Sequence, residues 1–382
     1  MEKHIIDEQW HKECAYAYFW ETVPGIGSKT IERLYTQYGS YERMYRTQKP
    51  SGIRDIQRAA LEEKKKIWMV KEEYQKLLAN KIWCIPRKVL GYPDKLQQLD
   101  TPPSALFVKG KLPDACCPAV AVVGARNCSP YGDWTARILG QRLAENGIQV
   151  VSGMARGVDV IAQRSAFQNG GATFGVLGNG VDICYPEENR ELYRCLAEGE
   201  NGGGIISEFA PGIQPQANHF PMRNRIISGI SDMLVVVEAK EKSGTFITVT
   251  SALEQGKDVY VIPGRLQDPL SCGCNRLIAQ GAEIIYDINA FVAGILEHSA
   301  YVKARSGQLI SDTKLPDNQM PAGIGKEEIV VLDMLDMQFI PLESILEKLP
   351  EEMGVPGLLT ILATLECRGL VEKEGSFYRK KL

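Results

Sequence analysis

Basic charge is the first thing this sequence lacks: 44 Lys and Arg stand against 47 Asp and Glu, a net charge of −3. Proteins that live on duplex DNA usually carry a basic excess, so general electrostatic attraction to nucleic acid is excluded. The ten cysteines include no C-x-x-C pair. Scattered thiols of that kind suit a reducing compartment, not a disulfide framework or a tetrahedral zinc site. Cys272 and Cys274 flank one glycine with no histidine nearby, and read as a turn in which one thiol packs inward. Histidine is scarce, with four residues at 4, 11, 219 and 298, none beside a recognisable Ser or Cys nucleophile motif. No apolar run reaches the length of about 18 residues that a membrane helix needs, and the opening residues carry no signal-peptide pattern. The expectation is a cytoplasmic protein with no membrane contact. No loop matches G-x-G-x-x-G or the Walker pattern, so no dinucleotide, ATP or other cofactor is expected, nor any metal.

What is present is an ordinary globular balance, 44% hydrophobic and 24% charged, with ample material for a core. The charge is uneven. Residues 1–85 carry +3, residues 86–298 carry −3, and residues 323–382 carry −4. Any nucleic-acid site in the middle must therefore be a local cluster of arginines, and the tail is poorly suited to reading DNA.

Three blocks and a linker emerge along the chain. Residues 1–85 read as helices, over residues 10–22, after the Pro-Gly-Ile-Gly turn at 24–27, and over residues 59–79. Residues 86–298 alternate short apolar runs with helical segments. The runs are AVAVVG, IQVVSG, ATFGVLG, GIISEF, DMLVVVEA, DVYVIPG and AEIIYD. Short apolar strands separated by helices are buried on both faces, which predicts a Rossmann-like, doubly wound, mostly parallel α/β sheet. Residues 299–322 have no sustained periodicity and read as a linker. Residues 323–382 read as helices at 326–336, 342–349 and 356–368 followed by a hairpin, a winged helix.

Open α/β sheets bind ligands beyond the carboxyl ends of their strands. The loops there carry Gly124, Arg126 and Ser129 after the first strand, Ser152 and Gly153 after the second, Asn179 after the third, and Ser243, Gly244 and Thr245 after the fifth. Glycines allow close backbone approach, and helix N-termini present free N–H groups to phosphate. The segment HFPMRNRIISG is the most informative. It places Phe220 beside Arg223, Asn224 and Arg225, the combination of stacking ring and phosphate-binding cations that single strands require. The competing reading pairs Arg223 or Arg225 with Glu208 or Glu238 and buries Phe220. Asp159, Asp182, Glu208 and Glu238 lie near the same rim, but nothing in their spacing singles out an acid–base pair.

The motifs AVVGARNCSPYG, VSGMARGVD, LGNGVDICYPEEN, ISEF, FPMRNRIISGIS, VVVEAKEKSGTFITVTSALEQGKDVYVIPG and CNRLIAQGAEII, in that order, resemble the signatures of the DNA-processing protein A (Smf) family. The resemblance covers about residues 88–290, and GYPDKLQQLDTPPSALFVKG is similar to the family's lead-in strand. It implies a non-enzymatic, single-stranded DNA binder that forms a homodimer, protects incoming DNA and loads RecA during natural transformation or general recombination. It also implies roles for Arg126, for Phe220, Pro221, Arg223, Asn224 and Arg225, and for Ser243, Gly244 and Thr245. Two positions depart from what the resemblance implies: Gln163 stands where the second motif usually has a histidine, and Ala217 where some members place a lysine. The N-terminal block then resembles a SAM or helix-hairpin-helix domain. The winged helix becomes a contact for other recombination or competence proteins. The alternatives are a nucleoside-monophosphate phosphoribohydrolase, whose P-G-G is missing ahead of Ser243-Gly244-Thr245, and a winged-helix regulator of duplex DNA.

Overall fold

Alternate residues of each apolar run face opposite sides of one sheet, and each side is covered by helices. The computed structural model describes residues 8–305, 331, 335, 340–346, 355–367, 371–374 and 377–380. The chain divides into two compact units, Met1–Ser306 and Gly307–Leu382. In the first, the helices are α1 (Glu8–Glu21), α2 (Ser28–Tyr38), α3 (Tyr41–Arg46), α4 (Asp55–Ile67), α5 (Val70–Ala79), α6 (Asp94–Gln97), α7 (Pro130–Glu145), α8 (Val158–Gln168), α9 (Arg190–Ala197), α10 (His219–Ile230), α11 (Thr245–Glu254), α12 (Cys272–Ala279) and α13 (Ile288–Arg305). The strands are β1 (Trp83–Pro86), β2 (Ala105–Gly110), β3 (Ala119–Val123), β4 (Gln149–Ser152), β5 (Thr173–Leu177), β6 (Gly204–Ser207), β7 (Met233–Val236), β8 (Asp258–Val261) and β9 (Glu283–Ile284).

Among the described residues these nine strands form one sheet, ordered β1-β2-β6-β5-β4-β3-β7-β8-β9. All neighbours from β6 to β9 are parallel, while β1 and β2 add an antiparallel edge. The sheet is thus doubly wound with its order reversing at β3, which has β4 on one side and β7 on the other. Chains leaving β3 and β7 turn to opposite faces there, and a crevice opens between them.

One face carries Ala121, Val151, Val176 and Leu234 beneath α6, α10, α11 and α12. The opposite face divides in two. Val120, Val122, Val150 and Val235 lie beneath α7, α8 and α13. Phe107, Leu177 and Ile205 instead join Trp10, Phe19, Trp20, Leu34 and Leu61 of the N-terminal helices in one cluster. Close approach of α7 and α8 depends on Gly140, where a Cβ would sit 2.3 Å from the Ala162 carbonyl oxygen. In the second unit α14 (Leu342–Leu346) and α15 (Val355–Cys367) accompany β10 (Ile340–Pro341), β11 (Val371–Glu374) and β12 (Phe377–Lys380). The strands form an antiparallel sheet ordered β10-β12-β11. The expected helix at 326–336 lies outside the described residues apart from two positions.

Several sequence expectations are corrected. Residues 59–79 are not one helix: Trp68 and Met69 are extended and break it, as Trp68 turns its ring edge-on to Tyr18, 5.2 Å away. Helix α10, expected from Pro221, begins two residues earlier at His219, which leaves Pro221 in its first turn. The linker expected from residue 299 does not start there, because α13 continues to Arg305. The sheet begins at Trp83, inside the block expected to be purely helical. Cys272 and Cys274 sit in the first turn of α12, not in a separate turn; Cys274 packs inward and Cys272 is exposed.

The N-terminal helices are fastened to the sheet by polar contacts as well. Ser104, just before β2, donates its hydroxyl to Ser28 at the start of α2, 3.0 Å away. Arg87 and Lys88 both reach Glu32. At the end of α1, the Oε1 atom of Glu21 is sealed from solvent without a hydrogen-bond partner among the described residues. Burial pushes its carboxyl from 4.5 up to about 8, against the opposing effect of the neighbouring Ser104 hydroxyl. The unfolded chain gives up this proton at lower pH than the folded chain does. Glu21 therefore supports the fold while protonated, and that stability is lost as pH rises through the window from about 4.5 to about 8. Urea titrations across that window should show the wild type weakening relative to Glu21→Gln, which keeps the neutral form. Parallel curves for the two proteins would show that Glu21 is ionised in the folded state.

Candidate functional site

The crevice at the β3–β7 switch point is a cleft of about 770 Å³. Its walls come from the loop after β3, with Gly124, Arg126 and Asn127, and from the loop after β7, with Lys240, Lys242, Ser243 and Gly244. The first turns of α10 supply Phe220, Arg223 and Asn224, and Tyr185 arrives from the loop after β5. The cleft sits here because parallel strands deliver every one of these loops to the same rim. The N-terminus of α11 opens onto it at Ser243-Gly244-Thr245, where the Ser243 hydroxyl accepts from the Thr245 amide. The next two amides, of Phe246 and Ile247, donate back to the carbonyls of Ser243 and Gly244, so the turn offers the cleft the positive end of the helix dipole.

Arg223 forms the floor. It is only 5% exposed, and its guanidinium donates to the carbonyls of Gly153, at 2.9 Å, and Val176. Those carbonyls lie just beyond β4 and on β5, so one side chain stitches α10 across two strand ends. Burial holds its pKa down to about 10, with Asp159 pulling it up and Arg126 pushing it down. It is still a cation at neutral pH, and its field is directed into the cleft from below. Asp159 is itself buried, and burial raises its carboxyl despite the field of Arg223. It accepts the Gly153 amide at 3.1 Å.

Above this floor stand cations of a different kind. Arg126, Lys240 and Lys242 are exposed, and none has an ion-pair partner among the described residues. The guanidinium of Arg126 lies 5.9 Å from the centre of the Phe220 ring. Phe220 in turn stacks on Tyr185, with 5.7 Å between centroids and 26° between planes. Phe220 is half-buried, so the exposed ring anticipated at this position is only partly available.

Eight of the thirteen expected site residues line the cleft: Gly124, Arg126, Phe220, Arg223, Asn224, Ser243, Gly244 and Thr245. The other five do not line it. Ser129 caps α7, accepting the Gly132 amide and donating its own hydroxyl to Glu238. Ser152 is buried and donates to the Val122 carbonyl. Gly153 packs against Arg223, where a Cβ would meet the guanidinium at 2.5 Å. Asn179 is buried and ties its own loop to the carbonyls of Gly180 and Ile183. Arg225 turns away to pair with Glu208, whose carboxyl burial raises against the field of that arginine. This is the competing reading given to the arginines, and it holds for Arg225. Both departures from the family pattern now have a place. Gln163 is buried and spans from the Met154 amide to the Phe174 carbonyl. Ala217 lines the cleft.

Sequence reasoning missed Tyr185 and Lys240 as wall residues, and placed Lys242 in the rim loop after the fifth strand without selecting it for the site. Tyr185 had one available signal, its position before Pro186, which biases it to extended backbone and away from a core helix.

The four rim carboxylates are all engaged in scaffolding. Asp182 accepts the Gly212 amide at 2.9 Å, Glu238 holds Ser129, Glu208 pairs Arg225, and Asp159 holds Gly153.

Residues 83–295 match the family model described as DNA recombination-mediator protein A. The chain belongs to that family. It is 44% identical over 194 residues to DNA processing protein DprA of Streptococcus pneumoniae, covering 51% of this chain and 67% of that one. It is 34% identical over 297 residues to protein Smf of Escherichia coli, covering 75% and 74%. The crystal structure of the S. pneumoniae protein superposes with a TM-score of 0.62 at 34% identity, over 73% of this chain and 97% of that one. A structure of DNA processing protein A from Helicobacter pylori, described for its single-stranded DNA binding mode, gives 0.50 at 29% identity, over 57% and 97%. The matched region begins at Trp83, the first residue of β1, so the antiparallel edge belongs to the shared body of the recombination-mediator fold.

The buried guanidinium supplies a direct test. Arg223→Ala leaves the carbonyls of Gly153 and Val176 without their partner and removes the positive field beside the buried Asp159, at a cost of about 3–5 kcal/mol. Urea denaturation should show a large loss of stability. A variant as stable as the wild type that loses only ligand binding would make Arg223 a ligand contact instead of a brace.

Proposed function

We propose that the cleft binds single-stranded DNA and that the protein is a recombination mediator that does not alter the strand chemically. The observation that carries this reading is the set of unpaired cations, Arg126, Lys240 and Lys242, placed beside a helix N-terminus and an aromatic pair. Phosphates meet the cations and the positive end of the α11 dipole, while a base stacks on a ring, an interaction that tolerates any sequence. The net charge of −3 is no obstacle, because Arg126, Lys240 and Lys242 gather at one cleft and none of them pairs with a carboxylate among the described residues. The single-strand binding described for the H. pylori relative supports the same reading.

The remaining roles extend from family membership: a homodimer that protects incoming DNA and loads RecA in transformation or general recombination. With the bounds moved to the ends of the elements, the domain reading is a SAM or helix-hairpin-helix-like block up to β1, a Rossmann-like DNA-binding domain from Trp83 to Arg305, then a linker to residue 322, and 323–382 as a winged helix. We assign the last of these to protein contact. Helix α15 exposes Gly357, Thr360, Ala363 and Glu366, with no cation among them to meet a groove. The Pro-Gly-Ile-Gly turn is already engaged internally, with the Gly25 carbonyl accepting from Gln57 and Ser28 meeting Ser104.

Titration with labelled dT oligomers and matched duplexes should show tighter binding to the single strand, with a modest salt slope, since few phosphates are neutralised. Arg126→Ala should weaken single-strand binding by about tenfold or more while the fold persists, since it removes a charge-assisted contact. Equal affinity for both DNA forms, or an unaffected variant, would remove the cleft from consideration.

The hydrolase alternative places its carboxylate at Glu254, which is exposed at the last residue of α11. A ten-residue helix is about 15 Å long, so that carboxylate lies far from the cleft at the opposite end. Nucleoside monophosphates incubated with the protein should release no free base by chromatography. Release that disappears in Glu254→Gln would replace the present reading.

A further inference from the structure

We infer that Tyr185 is the open stacking plate of the cleft, the ring on which a nucleobase rests, while Phe220 is the inner plate that supports it. The inference rests on the single-strand reading of the cleft and adds to it the position of the base.

Phe220 is hemmed in. On one flank lies Gly178, where an added Cβ would stand 3.0 Å from the Phe220 Cδ1 atom. Tyr185 is stacked on it at 5.7 Å, and Arg126 lies 5.9 Å from its centre. Little of its surface is left for a ligand, and the residue is accordingly half-buried. Tyr185 is different, because 47% of it is exposed. Its hydroxyl has no hydrogen-bond partner among the described residues. A large ring held in water next to uncompensated cations is a stacking surface without its ligand.

The loop that carries Tyr185 is fixed at many points. Asn179 donates to the Gly180 and Ile183 carbonyls, and the Tyr193 hydroxyl donates to the Val181 carbonyl. Asp182 receives the Gly212 amide. On the far side of Tyr185, Asn189 donates to the Met154 carbonyl at 2.8 Å. Arg156 grips Glu188 through two parallel hydrogen bonds, at 2.6 and 2.9 Å. The chain on both sides of Tyr185 is thereby held to the rest of the rim, and the ring is presented in place before a ligand arrives. Such preorganisation removes part of the ordering cost that binding otherwise carries. The buried Asn179, which does not line the cleft, acquires a role here as a positioning residue.

A base on Tyr185 extends the column formed by Arg126, Phe220 and Tyr185, and the adjoining phosphates fall within the reach of the cleft cations. The contact is to the face of the base, so it is insensitive to sequence and absent when the base is missing.

The test compares a dT oligomer with an abasic oligomer of equal phosphate number, using the full-length protein. Wild type should prefer dT. Tyr185→Ala and Tyr185→Leu should reduce that preference about fivefold to a hundredfold, and Tyr185→Phe should restore it. Irradiation of a 5-iodo-deoxyuridine oligomer should cross-link to Tyr185 in peptide maps. A dT preference unchanged in Tyr185→Ala, or equal losses on both oligomers, would overturn the assignment, as would a cross-link confined to Phe220. Arg126→Ala separates this from the broader reading. If Arg126→Ala weakens binding to both oligomers and Tyr185→Ala changes nothing, the plate is wrong and the cleft stands. If Arg126→Ala has no effect either, both fall.

Discussion

A single buried guanidinium organises the rim. Arg223 reaches from the first turns of α10 to the carbonyls of Gly153 and Val176, at the ends of two neighbouring strands. Breaking a buried charged contact by removing one partner is far more damaging than the net value of the contact. The loop after β4, the end of β5 and the start of α10 are therefore locked as one piece. Phe220 precedes Arg223 on that helix, and Gly153 answers to Asp159 from the other side. The geometry of the cleft is a consequence of satisfying this one cation in a place that water does not reach.

The same economy explains how an acidic protein keeps a basic cleft. Electrostatic character at a site depends on charges left unpaired, not on the total. Asp182, Glu208, Glu238 and Asp159 are each held in place by a backbone amide, a hydroxyl or a buried arginine, and none of them pairs with a cleft cation. Arg126, Lys240 and Lys242 have no such partner among the described residues and face solvent. A cleft edged by unpaired cations over a low-dielectric floor focuses the field on a passing anion.

The N-terminal helices are not an appendage. Tyr18 meets Phe107 of β2 at 5.7 Å, and the cluster containing Trp20 and Leu34 runs continuously into Leu177 and Ile205 of the sheet. The antiparallel edge of β1 and β2 exists to make this junction: it extends the sheet beyond β6 and offers a face for α1 to cover.

Much of this was legible in the sequence because it depends on short-range pattern. Apolar runs of four to six residues such as AVAVV and MLVV can only be buried strands when helices alternate with them, and the parallel order followed from that alternation. The loops that carry Gly124, Arg126, Ser243 and Thr245 were found by asking what lies beyond each strand. The direction in which a side chain points was a different matter. Arg223 and Arg225 stand two residues apart on one helix, and nothing local distinguishes them. About 200° of rotation sends one beneath the cleft and the other toward Glu208. Tyr185 was invisible for a related reason: its place against Phe220 depends on a loop held by Asn179, Asn189 and Arg156, whose partners are up to 35 residues away. The sequence by itself determined the parallel part of the sheet, its winding and the rim at which a ligand must sit, since periodicity and the chirality of crossovers leave few alternatives, while the antiparallel edge of β1 and β2 came only with the tertiary structure. Only the tertiary structure decided which rim cations are free and which ring is open, because both depend on whether a distant carboxylate, carbonyl or aromatic ring reaches the group first.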